Sequence, residues 1–142
     1  MTRLLLAVPL LLVAAGCATN SVPYAPVRNV SYQAMGGSPM WLLTIGDDRI
    51  ALRLRADDNR SEFSVPRVLP QTLNGMRSWQ SGDIPRIEVE ARQGPCSGPG
   101  GETFEDRVLV RLTTDVLEAG HIRTMTDERA GCGGRLLNGE RS

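Results

Sequence analysis

The chain contains no lysine; every basic residue among its 16 is an arginine. That absence removes Schiff-base chemistry, the phosphate-gripping lysine of a P-loop and any Ser-Lys dyad. Histidine occurs once, at His121. A zinc site draws roughly three or four ligands mainly from His and Cys, so no metal and no cofactor is expected. Aromatic residues make up 4% of the sequence, which leaves Trp41 and Trp79 as the bulkiest material for a core. Acidic residues also number 16, so the formal net charge is zero, and no field steers the chain toward nucleic acid. No G-x-S-x-G elbow is present. Helical periodicity is missing too. Residues 64–73 come nearest, but Pro66 and Pro70 interrupt them, and residues 113–120 have room for a single turn.

What is present begins at the N-terminus. Arg3 supplies a positive n-region, residues 4–13 an apolar h-region, and Val13-Ala14-Ala15-Gly16-Cys17 ends it with small residues before a cysteine. The pattern reads as a signal peptide over residues 1–16 with a bacterial lipobox. The apolar run is too short to span a bilayer, which takes about 20 residues. Cys17 is thus the expected lipid anchor, with the membrane as partner through its acyl chains. Two or three chains hold stably where one holds weakly. Ala18 follows where an aspartate would favour inner-membrane retention, so the expected place is the outer membrane, facing the periplasm. Residues 17–30, rich in Pro and Asn, read as a tether, and residues 31–142 as a single domain.

Setting Cys17 aside leaves Cys96 and Cys132. Two remaining thiols in an oxidising compartment are expected to pair. A redox pair and intermolecular bonding stay open as alternatives, although the spacing is not C-x-x-C.

The domain itself reads in period two. Trp41, Leu43 and Ile45 share a face, Gly46-Asp47-Asp48 makes a turn, and Ile50, Leu52 and Leu54 alternate with Ala51, Arg53 and Arg55. This is a hairpin signature. Ile87, Val89 and Ala91 alternate with Glu88, Glu90 and Arg92; Val108, Val110 and Leu112 alternate with arginines. Residues 76–80, 121–126 and 132–137 are shorter candidates. Many short strands between Gly, Pro and Asp turns predict an all-β fold, a small antiparallel β-barrel or sandwich with few or no helices.

Candidate chemistry is sparse. Glu88 and Glu90 would share a polar strand face. A carboxylate pair can run glycoside hydrolysis across a cleft, but cross-strand pairing with arginine accounts for both. Asp47-Asp48 and Asp57-Asp58 could bind calcium, yet neither has EF-hand spacing, and turn chemistry explains them. His121, in Gly120-His121-Ile122-Arg123, reads as the start of a strand and not as a triad base. The glycines of residues 94–101 could form an anion nest; a plain loop is the simpler reading. Trp41 lies in phase with the core, while Trp79 sits between Ser78 and Gln80.

Gly36-Gly37-Ser38-Pro39-Met40-Trp41-Leu42-Leu43-Thr44-Ile45 resembles the G-x-E-P-F-W-x-x-x-I opening of a family of uncharacterised bacterial envelope lipoproteins associated with META-type β domains. In that family a cysteine in a Gly/Ser-rich loop is followed by an apolar strand and a Gly-Cys pair. Cys96-Ser97-Gly98, residues 108–112 and Gly131-Cys132-Gly133 are similar to these. The resemblance implies the β fold and the disulfide, and it carries no catalytic residues. The expectation is a non-catalytic, lipid-anchored envelope module that binds a protein or envelope component. One alternative is an inhibitor of a periplasmic or host hydrolase of the lysozyme kind, presenting a protruding loop within residues 94–106. A remoter one is an envelope hydrolase using Glu88 or Glu90.

Overall fold

The computed structural model describes residues 25–56 and 59–136. The expected leader, Cys17, the first part of the tether and Asp57-Asp58 lie outside the described residues. Within them the chain is all-β, with nine strands and no helix: β1 (Tyr32–Gly36), β2 (Trp41–Ile45), β3 (Arg49–Ala56), β4 (Asn59–Pro66), β5 (Gln71–Leu73), β6 (Met76–Gln80), β7 (Arg86–Ser97), β8 (Thr103–Glu118) and β9 (His121–Leu136). All belong to one antiparallel sheet in the order β4-β3-β2-β1-β9-β8-β7-β6-β5. The chain starts at the centre, meanders out to β4, crosses to the other edge and meanders back.

That crossing dictates the shape. β4 and β5 are opposite edges, yet residues 67–70 alone join them. Laid flat, the edges of nine strands would stand roughly 38 Å apart at about 4.8 Å per spacing. A link of this length reaches at most about 18 Å. The sheet therefore curls onto itself. The rings of Tyr32 in β1 and Trp79 in β6, far apart in strand order, meet at 5.0 Å between centroids. The edges are not hydrogen-bonded to each other, so the result is sandwich-like and not a closed barrel.

The core follows from the alternation. Trp41 pairs in register with Leu54, and Leu43 with Leu52, which places the expected hairpin as β2–β3. Leu43, Ile50, Leu52, Ile87 and Val89 are fully buried, and one cluster draws on both halves of the sheet. Trp41 and Trp79 both belong to it.

Two local expectations are corrected, and one, that Pro66 and Pro70 interrupt residues 64–73, holds. Residues 113–120 hold no helical turn; they are the end of β8 and a tight turn. Residues 64–73 are the end of β4, a link and β5, because Pro66 and Pro70 remove the donors a helix needs. Residue 137 lies outside the described residues; as far as Leu136, the two short candidates at 121–126 and 132–137 fall in one strand, β9, of 16 residues. Its hairpin with β8 turns on Ala119 (φ 50°) and Gly120 (φ 80°). Two consecutive left-handed residues make the type I′ turn whose twist matches the flanking strands.

Cys96 and Cys132 form a disulfide with Cα atoms 5.4 Å apart. It fastens the end of β7 to β9 across β8. A register shift in β7 between Gln93 and Cys96 bends this end toward its partner.

Candidate interaction surface

The expected carboxylate pair stands on the outer face of β7, in a polar groove of about 550 Å³. Arg111 of β8 donates to Glu90 at 2.8 Å and to Glu128 of β9 at 2.7 Å. These bonds, from Glu90 and then Glu128, hold the Arg111 guanidinium charged well above its ordinary range. Glu88 departs from the arginine pairing expected of it. Although Arg111 is its register partner, Arg111 turns to Glu90, and Glu88 accepts from Gln80 at 2.9 Å instead. The two carboxylates stand side by side on one strand, whereas glycoside hydrolysis needs them facing each other across the scissile bond.

Asp47 and Asp48 serve the β2–β3 turn. Asp48 accepts the Arg28 backbone N–H at 3.0 Å and an Arg49 guanidinium N–H at 3.0 Å. The first of these does most to hold its carboxyl below the usual range. Asn29 donates to Asp47 at 2.7 Å, and Arg49 reaches the Ala25 carbonyl. Residues 25–30, the end of the expected tether, are thereby clasped to this turn. Among the described residues no group of three or more His, Cys, Asp or Glu side chains could hold a metal ion.

The glycine segment offers no open nest. Glu102 fills it from within: Gly100 donates its N–H to the Glu102 carboxylate at 2.9 Å, and Gly98 to the Glu102 carbonyl at 2.7 Å. These bonds and the disulfide hold residues 94–106, the segment an inhibitor is expected to present, as a fastened hairpin end.

A buried polar centre had no counterpart in the sequence reading. Asp106 of β8 is 3% exposed. Its Oδ2 accepts from the Tyr32 hydroxyl at 2.9 Å and from Arg77 at 2.6 Å. The Arg77 guanidinium lies over the Tyr32 ring at 5.0 Å and near that of Trp79 at 5.8 Å. Burial, followed by the Asp106 hydrogen bond, pushes the Tyr32 phenol far above its ordinary value. Every charge here is met, so the trio locks β1, β6 and β8 together. One signal could have revealed it: Asp106 falls in phase with Phe104, Val108 and Val110, on the core side.

What does protrude is the β8–β9 hairpin. β7 accompanies β8 only as far as the Arg86–Thr113 pair, and β1, in register with β9 at Gly133 and Cys132, reaches no further along it than Ala130. Beyond Thr113 the two strands pair with each other alone. Residues 114–118, at about 3.4 Å each, carry this ribbon roughly 17 Å past the sheet. Leu117 and Ile122 sit opposite each other near its tip, each 76% exposed. Val116 and Met125 are exposed on the other face, and His121 stands at the turn opposite Glu118.

The ribbon also has a direction. β1 begins at Tyr32, opposite Ile45 and beside the β2–β3 turn that clasps residues 25–30. β9 runs antiparallel to β1, so its 121 end lies beyond the Gly36 end. Chain entry and ribbon tip occupy opposite poles of the sheet. Set against family models, curated proteins and solved structures, the chain matches none.

Proposed function

We propose that this chain is a lipid-anchored protein of the bacterial envelope, held through Cys17 in the outer membrane facing the periplasm, and that it works as a non-catalytic interaction module. Its contact element is the β8–β9 ribbon. The observation that carries this reading is the Leu117–Ile122 pair, exposed at the tip of a projection on the pole away from chain entry. Two large apolar side chains at 76% exposure in opposite register positions are held out of the core, and such patches mark contact sites. A chain anchored at its entry pole would present the ribbon outward, toward a protein or another envelope component.

The test is crosslinking in the native cells, followed by affinity purification of the anchored protein. Wild type should recover reproducible partners, and the variant Leu117→Asp with Ile122→Asp should lose them. Recovery of the same partners by the variant, or of none by the wild type, overturns the reading. The anchor is tested separately by Cys17→Ser and membrane fractionation; a variant that still sediments with membrane refutes it.

A second reading, inhibition of a lysozyme-like hydrolase, is favoured by the same shape, since a two-stranded projection can enter a substrate cleft. Purified protein should then slow such an enzyme, and the ribbon variant should not.

A further inference from the structure

We infer that a second copy of this chain joins the ribbon along the free edge of β9, beside the apolar pair at its tip. The inference rests on the ribbon being the contact element. The two-residue turn makes Glu118 and His121 a mutually bonded pair, so His121, Arg123 and Met125 direct their backbone groups at β8. Ile122, Thr124 and Thr126 direct theirs outward, past the end of β1, and the β1–β2 turn comes alongside only from Asp127 on. An edge of this kind is a template for another strand, and a two-stranded ribbon alone is only marginally stable in water.

The occupant is argued from charge and register. Two copies of one strand pair antiparallel about a twofold axis normal to the sheet, so residues that face each other lie on the same side of both copies. With Met125 opposite its own counterpart, Thr124 faces Thr126 of the other copy. That pair supplies the outward N–H and C=O groups that must bond. Arg123 then faces Asp127, once in each direction. Within one chain Arg123 donates to Glu118 at 3.1 Å and Asp127 accepts from Arg129, but both stay exposed, at 70% and 51% of their side chains. Pairing between copies therefore exchanges solvated partners at a position in the ladder where side chains approach most closely. Moving the register by one step in either sense, Met125 facing residue 123 or 127, replaces this match: one choice sets Arg123 against Arg129, and the other leaves Arg123 facing Met125. The edge is self-complementary in a single alignment, which a strand shielded against pairing would avoid. The β8 edge, by contrast, carries Asp115 and Glu118 without a basic residue and repels itself.

The product is a four-stranded sheet that covers Met125 and leaves Leu117 accessible. It sets the two chain entries at opposite ends of the pair, so two chains anchored in one membrane pair by lying along its surface.

The test uses the secreted full chain carrying Cys17→Ser, studied by sedimentation. Wild type should show a concentration-dependent monomer–dimer equilibrium. Arg123→Asp alone and Asp127→Arg alone should each be monomeric, because like charges then face each other. An equal mixture of the two should dimerise again, since each mismatched residue finds its opposite on the other variant. Recovery on mixing also shows that neither variant is misfolded. Met125→Cys should form a disulfide between copies under mild oxidation, and Val116→Cys should not. A wild type that stays monomeric at its highest soluble concentration, or single variants that dimerise like wild type, overturns the inference. Recovery of a different protein in the native crosslinking, with this chain monomeric, leaves the contact role of the ribbon standing and removes only the second copy as its partner.

Discussion

β8 and β9 pass through two environments without a break. In the body, Val108, Val110 and Leu112 of β8 are at most 5% exposed. A few residues further along the same strand and on the same face, Val116 is 40% exposed. The residue types and the pairing partner are the same; what changes is the presence of β7 on one side and β1 on the other. Burial in this fold is conferred by the neighbouring strands and not by the hairpin. It follows that body and ribbon should differ sharply in how much a side chain contributes to stability.

The largest expected effect lies in the body. Trp41 is 1% exposed and anchors the core cluster. Trp41→Ala should cost about 3–5 kcal/mol, by lost transfer energy and the cavity left behind. Urea unfolding measures it, and a cost near that of a surface change would break the distinction drawn between the two regions.

Next comes the polar centre. Tyr32→Phe removes the hydrogen bond to the Asp106 carboxylate, for a loss of about 2 kcal/mol. The same group sets an alkaline limit. The folded state raises the Tyr32 phenol above its unfolded value of about 10. Its contribution is therefore complete below pH about 10 and is lost as the pH rises beyond it. Thermal melts should show wild type losing stability above that pH more steeply than Tyr32→Phe. Parallel profiles would mean that the phenol ionises as easily in the folded chain as in the unfolded one.

These two sites also mark how far the sequence could be read. Trp41 was legible as core because Leu43 and Ile45 share its period-two phase, and Met76–Gln80 was legible as a strand for a similar reason. The Cys96–Cys132 pairing followed from two thiols left over. The Tyr32–Arg77–Asp106 centre was not legible as a unit, because Tyr32 and Asp106 are 74 residues apart and only the curl of the sheet brings them together. The ribbon escaped for a different reason. Residues 114–118 and 121–126 bury neither face, so nothing forces them to alternate apolar with polar, and period two fades where the neighbours end. In residues 94–101 the glycines suggest an anion nest; the fastening by Glu102 depends on contacts that composition does not record.

In the ribbon the effects should be small. Leu117→Ser and Ile122→Ser should each change stability by no more than about 0.5 kcal/mol, as for ordinary surface positions. A loss comparable to that of Trp41→Ala would show that the ribbon folds back onto apolar surface in solution, and the contrast with the body would have to be abandoned.

The smallest global effect, and the sharpest separation of the two regions, is expected at the turn. Ala119 holds a left-handed φ of 50°, which costs an L-residue about 1–2 kcal/mol. Glycine adopts it freely but loses about 0.5–1 kcal/mol more in conformational freedom on folding. Ala119→Gly should therefore favour the closed ribbon by about 0.5–1 kcal/mol, which corresponds to a roughly two- to fivefold slowing of hydrogen exchange. Because the ribbon can open without the body, the slowing should be confined to amides of residues 121–126 that bond to β8. Those of Val110 and Leu112, which exchange only when the core unfolds, should move far less. Equal slowing in both sets would mean that ribbon and body open as one unit.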